Sequence, residues 1–122
     1  MEPMSTRDEG GWRTTDPRGY DVVLRDEIVH RREALKKHQG ADRLDPVDAM
    51  ACVESPHMIV QSPSNDDRQT YYQWDDRPGV PPYRRSTVAF GDFGDHSGEV
   101  ISYSRYSKLG KGEIVYARRV GR

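Results

Sequence analysis

The chain has 122 residues, 34% of them apolar and 32% charged, with a formal net charge of −1. That length buries one core of ordinary domain size, and the near parity of apolar and charged residues leaves the core lean, with long polar segments around it. No stretch approaches the roughly 18–20 apolar residues of a membrane span, the first residues lack the apolar centre of a signal peptide, and the single cysteine, Cys52, excludes an intrachain disulfide and a cysteine-rich zinc site; a cytoplasmic location without membrane contact is expected.

Residues 1–19 are rich in Gly, Pro and charge, with little beyond Trp12 to bury, and are expected as a flexible polar tail. The folded domain should then occupy residues 20–122. Tyr20-Asp21-Val22-Val23-Leu24 is a short β-type run. A helix should follow over Asp26–His38, with Asp26 and Glu27 in its first turn and Lys36, Lys37 and His38 in its last, stopped by Gly40. Asp45-Pro46 has the form of an N-cap followed by proline at the first helical position, so a second short helix should run to Glu54 and break at Ser55-Pro56.

Beyond Pro56 the pattern changes to strands separated by turn clusters: 58–61, 69–74, 86–90, 99–106 and 113–117. Their short connections favour antiparallel neighbours. The predicted class is α+β, an N-terminal strand and two helices packed on a four- to five-stranded antiparallel sheet.

Charge is unevenly spread. Residues 1–83 hold 11 Lys and Arg against 16 Asp and Glu, and residues 84–122 hold 8 against 4, or −5 against +4. A basic C-terminal third that begins at Arg84-Arg85 suits a polyanion, because cations near phosphates release counterions. Cys52, within Val47-Asp48-Ala49-Met50-Ala51-Cys52-Val53, reads as a small buried hydrophobe. His30, His38, His57 and His96 form no i,i+4 pair and no HExxH pattern, so no metal is expected. No P-loop, nucleophile elbow or dinucleotide-binding glycine pattern occurs, Gly110-Lys111-Gly112 is too short for a phosphate loop, and no cofactor is expected.

At 100° per residue the first helix places Ile28 and Leu35 within about 20° of each other, and Arg32 falls inside that apolar arc at about 40° from Ile28. A guanidinium there must snorkel, find a carboxylate or line a cleft. Arg31 and His38 lie on the arc's other margin, whereas His30 lies opposite it and reads as a surface residue. Along 99–106, alternation puts Val100, Ser102, Ser104 and Tyr106 on one face and Ile101, Tyr103 and Arg105 on the other. Tyr71 and Gln73 share one face of their strand and Thr70, Tyr72 and Trp74 share the other; either face could be the inner one. The chemistry open to such a set is metal-free RNA cleavage, in which a base deprotonates the 2′-hydroxyl, cations stabilise the phosphorane and an acid protonates the leaving oxygen.

The order of His30, Lys37-His38, Glu54-Ser55-Pro56-His57-Met58-Ile59, Tyr71-Tyr72, Thr87-Val88-Ala89-Phe90, Val100-Ile101-Ser102-Tyr103 and Gly112-Glu113-Ile114-Val115-Tyr116 resembles the phage and toxin nuclease-like domains grouped with barnase, EndoU, the colicin E-type tRNases and RelE. The resemblance covers about residues 20–118. It implies a helical layer on an antiparallel sheet and a metal-independent endoribonuclease or toxin site on the exposed sheet face. His38 or His30 would be its acid/base, Arg32 the phosphate clamp and Ser102 a donor to phosphate. Around that site Arg31, Lys37, Tyr71, Arg84, Arg85, Ser104 and Arg105 are candidate nucleic-acid contacts. RNA and an antitoxin-like or inhibitor protein are the implied partners. Two positions depart from the family's commoner pattern: His38 is followed by Gln39 rather than Pro, and Ser102 stands in place of Thr. The alternative is a non-catalytic module that presents the same sheet face to a partner; the near-neutral charge favours it, since an RNA cutter gains from a basic surface.

Overall fold

The computed structural model describes residues 5–35, 40–92 and 96–119. In chain order the elements are β1 (Thr6–Asp8), β2 (Gly11–Thr15), β3 (Asp21–Arg25), α1 (Asp26–Ala34), α2 (Pro46–Glu54), β4 (Met58–Gln61), β5 (Arg68–Trp74), β6 (Tyr83–Asp92), β7 (Ser97–Tyr106) and β8 (Ile114–Ala117). The β-branched and aromatic runs after Pro56 pair with their neighbours as an antiparallel meander from β4 to β7. The whole sheet has the order β1-β2-β3-β7-β6-β5-β4-β8, and β3 lies parallel to β7.

This corrects the expected architecture. The sheet has eight strands and is mixed, not a four- to five-stranded antiparallel sheet, and the two helices are short. Part of the difference is the segment expected as a tail. Residues 6–15 form a β-hairpin that docks on β3, with Trp12 opposite Leu24 and Thr14 opposite Val22. Polar composition hid it, because its anchor is a buried carboxylate, Asp16, and not an apolar run. No helix among the described residues is long and apolar enough to cross a membrane.

The sheet has two unlike faces. On one, Ile59, Tyr71, Ser86 and Tyr103 stand in cross-strand register, and Leu24, Val88, Phe90 and Val100 join them in the core. The helix α2 covers this face through Ala49, Met50, Cys52 and Val53, and the Ser86 hydroxyl donates to the Ala49 carbonyl (2.9 Å). Cys52 is wholly enclosed, which pushes its thiol pKa up to about 12 and leaves it inert. The helix begins at Asp45-Pro46 as its sequence predicts, with the Asp45 carbonyl accepting from the Asp48 and Ala49 N–H groups. The first helix is less regular than expected. It ends at Ala34, where Leu35 turns extended (φ −87°, ψ 119°) and is 40% exposed, so among the described residues Ile28 and Val29 carry its apolar contact.

The alternation expected along 99–106 breaks at one residue. Val88 pairs with Val100 and Thr87 with Ser102, so Ile101 is an extra residue in β7, a β-bulge. Past it, Tyr103 and Arg105 turn to the helix-covered face, which already holds Val100, while Ser102, Ser104 and Tyr106 stay on the other.

Among the described residues no helix lies over that other face. One connection crosses it, because residues 107–113 must pass β6, β5 and β4 to reach β8. Four strand spacings amount to ~19 Å, and seven residues reach at most ~25 Å, so the connection is a nearly taut strap. The Gly110 N–H donates to the Tyr72 hydroxyl at 2.7 Å and the Gln61 N–H to the Glu113 carbonyl at 2.8 Å. Glycine is required twice here. A Cβ on Gly110 would lie 2.6 Å from the Tyr72 hydroxyl, and one on Gly112 (φ +140°) would lie 2.1 Å from the Gln61 carbonyl oxygen. Gly112→Ala should therefore lower stability by roughly 1–3 kcal/mol, measured by urea unfolding; an unchanged midpoint would show that the strap can lie elsewhere.

Candidate functional site

Because side chains alternate along each strand, the uncovered face is laid out in rows across β4, β5, β6 and β7. One row is Met58, Tyr72, Arg85 and Ser104; the next is Val60, Thr70, Thr87 and Ser102. The threonine hydroxyls of the second row lie 3.5 Å apart. Val60 and Tyr72 are buried although no helix covers them, because the strap lies over them. Beside the strap a groove of about 250 Å3 opens, lined by Val60, Thr70, Tyr72, Arg85, Gly110 and Lys111 with residues 61–63. Its lining carries two cations and no carboxylate.

The contrast between Arg84 and Arg85 identifies the available charge. Arg84 points to the helix-covered face, where it meets Asp75 (3.0 Å), Asp48 (3.6 Å) and the Gln73 side-chain oxygen (3.0 Å). Arg85 points to the groove. It makes no ion pair among the described residues, and its guanidinium lies over the Tyr106 ring at 3.9 Å. Cation–π contact orients the guanidinium and leaves its N–H edge for an anion. Lys111, between Gly110 and Gly112 on the strap, lines the groove and supplies the second charge. A larger cleft of about 350 Å3 lies on the same face near β1 to β3, lined by Thr6, Arg13, Thr15, Asp21, Val23 and Ser97 among others. Its one cation, Arg13, is tied to Asp8 at 2.6 Å and Asp21 offsets it, so the positive field belongs to the smaller groove.

An aromatic row borders the groove. Trp74, Tyr83 and Tyr106 are cross-strand neighbours, and His57 stacks on Trp74 with centroids 4.9 Å apart and planes at 8°. Trp74 meets Tyr83 at 5.2 Å, edge to face. The Trp74 backbone N–H donates to His57 Nδ1 at 3.1 Å, and burial, helped by Arg118, lowers the pKa of that imidazole. His57 is thus a neutral, positioned ring at neutral pH.

The sequence-derived site does not assemble as one cluster. Arg85, Ser102 and Ser104 share the uncovered face, although Ser104 is buried. Tyr71, Arg84 and Arg105 lie on the opposite, helix-covered face, away from the groove. The Tyr71 hydroxyl donates to Asp16 at 2.7 Å, and its pKa is driven far up by burial and by that carboxylate. Arg105, 2% exposed, is bound by Asp75 and the Pro81 carbonyl. Arg32 is half-buried on α1 over the Tyr103 ring at 5.2 Å, so its place in the apolar arc is resolved by stacking. His30 and Arg31 are exposed on α1 and neither lines the groove. Lys37 and His38 lie outside the described residues.

Sequence reasoning missed Lys111, Thr70, Thr87, Trp74 and Tyr83 as members of a site. A signal for the first was present in Gly110-Lys111-Gly112, which is no phosphate loop by length but does hold its lysine against a groove. Among the described residues no group of three or more His, Cys, Asp or Glu is placed to hold a metal. Compared with known proteins, the chain matches no family model, no curated protein and no solved structure.

Proposed function

We propose that this chain binds RNA through its sugar-phosphate backbone on the uncovered face of the sheet, with Arg85 and Lys111 as the phosphate contacts. The observation that carries this reading is the groove beside the strap, whose lining holds both cations and no carboxylate. A guanidinium that makes no ion pair among the described residues and is oriented by an aromatic ring is suited to phosphate oxygens. The neighbouring hydroxyls of Thr70, Thr87 and Ser102 can donate to and accept from a 2′-hydroxyl, the group that separates RNA from DNA.

Binding is the reading that the groove's lining supports directly, because its two cations suit phosphate contact. Among the described residues none of His30, His57 and His96 lines the groove, and His38 lies outside them.

The test is an anisotropy titration of a labelled single-stranded RNA. Arg85→Ala should weaken binding about tenfold or more, the scale of a lost hydrogen bond to a charged group. Because Arg85 makes no ion pair among the described residues, the variant should keep the thermal midpoint of the parent. Equal affinity in a folded Arg85→Ala variant would remove the groove from consideration.

A further inference from the structure

The aromatic row beside the groove has no evident task in the core. Trp74 is 44% exposed and Tyr106 37%, although both belong to strands in the interior of the sheet. Three aromatic rings in cross-strand register at one end of a sheet, with a stacked imidazole at their end, form an ordered surface and not a scatter of exposed apolar groups. The row is continuous with the cationic groove, since Arg85 lines the groove and lies over Tyr106. Successive rows along a strand are ~6.8 Å apart, within the reach of one nucleotide from phosphate to base. Extended strands of nucleic acid meet proteins through this combination, cations for the backbone and aromatic faces for unpaired bases.

We infer that Trp74, Tyr83 and Tyr106, with His57 stacked behind Trp74, form a base-stacking platform that makes the site selective for single-stranded over double-stranded RNA. The inference rests on the phosphate-binding reading above and adds the substrate class. Unpaired bases reach the platform while their phosphates lie at Arg85 and Lys111. A duplex keeps its bases stacked within the helix and offers the platform nothing. Charge selects the occupant: a proline-rich peptide also suits exposed aromatic rings, but it gives no use to Arg85 and Lys111.

The experiment compares a single strand of about ten nucleotides, its duplex, and a proline decamer against wild type, Trp74→Ala, Trp74→Phe and Arg85→Ala. The single strand should bind wild type at least tenfold more tightly than the duplex. Trp74→Ala should lose roughly 5- to 100-fold for the single strand, the range of one stacked base, with duplex binding unchanged; Trp74→Phe should retain most of the affinity and confirms that the sheet is intact. If Trp74→Ala binds the single strand as wild type does while Arg85→Ala is weakened, the platform is refuted and the phosphate reading stands. If neither substitution matters, both fall. Tighter binding of the proline decamer than of RNA, lost in Trp74→Ala, would overturn the inference in favour of a peptide site.

Discussion

Asp75→Ala is expected to lower stability by about 3–5 kcal/mol, the cost of leaving a buried charge without its partner. Asp75 accepts from Arg84 and from Arg105, whose side chain is wholly enclosed. The two arginines are not equivalent. Arg84 has Asp48 and the Gln73 side chain to turn to, whereas Arg105 has the Pro81 carbonyl and, among the described residues, no second carboxylate. Removing Asp75 therefore strands Arg105, while Arg105→Ala leaves Asp75 paired with Arg84 and should be the milder change. Urea unfolding of the two variants gives the ranking directly, and an Arg105→Ala variant less stable than Asp75→Ala would contradict it. Acid adds a second readout. The hydrogen bond from Arg105 holds the Asp75 carboxyl below its ordinary range. Its contribution is thus full above the usual carboxylate pKa of about 4 and is lost as pH falls through the lowered value. Between those limits stability should fall less steeply in Asp75→Ala than in the parent.

The second large effect is Asp16→Ala, also about 3–5 kcal/mol. One carboxylate oxygen accepts the backbone N–H groups of Arg18 (2.8 Å) and Tyr20 (3.0 Å); the other accepts the Arg18 guanidinium (2.8 Å) and the Tyr71 hydroxyl (2.7 Å). The side chain is completely enclosed, and it ties the turn after β2 to the middle of β5. Its loss leaves the buried Tyr71 hydroxyl and the part-buried Arg18 and Tyr20 donors unsatisfied at once. Tyr71→Phe removes one of these bonds and should cost only about 1 kcal/mol, without change in RNA affinity. A Tyr71→Phe variant that lost RNA binding while remaining folded would return Tyr71 to the site from which its burial removes it.

How much of this was legible in the sequence follows from the range of the forces involved. The strands from β4 to β8 and the helix at Asp45-Pro46 announce themselves locally, through β-branched and aromatic runs, turn clusters and a proline at the first helical position. The hairpin at residues 6–15 does not, because it is held by pairing to β3 and by Asp16, neither of which leaves a local pattern. The parallel pairing of β3 with β7 joins segments more than 70 residues apart and is equally silent. The bulge at Ile101 shows the sharpest limit. A strict period of two placed Arg105 and Ile101 together, and one inserted residue sent Arg105 into the covered face with Val100. For the site, the doublet Arg84-Arg85 was visible as charge. That only one of the two could reach a given face was implicit in strand alternation, but which one required knowing which face α2 covers. The barnase-like resemblance drew attention to the sheet face and to Ser102, yet the groove's second cation, Lys111, arrives on a connection that the eight-strand order alone makes cross that face.

The most direct measurement of the central claim is the salt dependence of RNA binding in wild type and in the Arg85→Ala/Lys111→Ala double variant. For single strands each neutralised phosphate contributes about −0.7 to the slope of log K against log salt. Wild type should show a clear negative slope, and the double variant a slope shallower by about 1.4 for the two contacts removed. A wild-type affinity flat in salt, or the same slope in both proteins, would contradict phosphate binding at this groove.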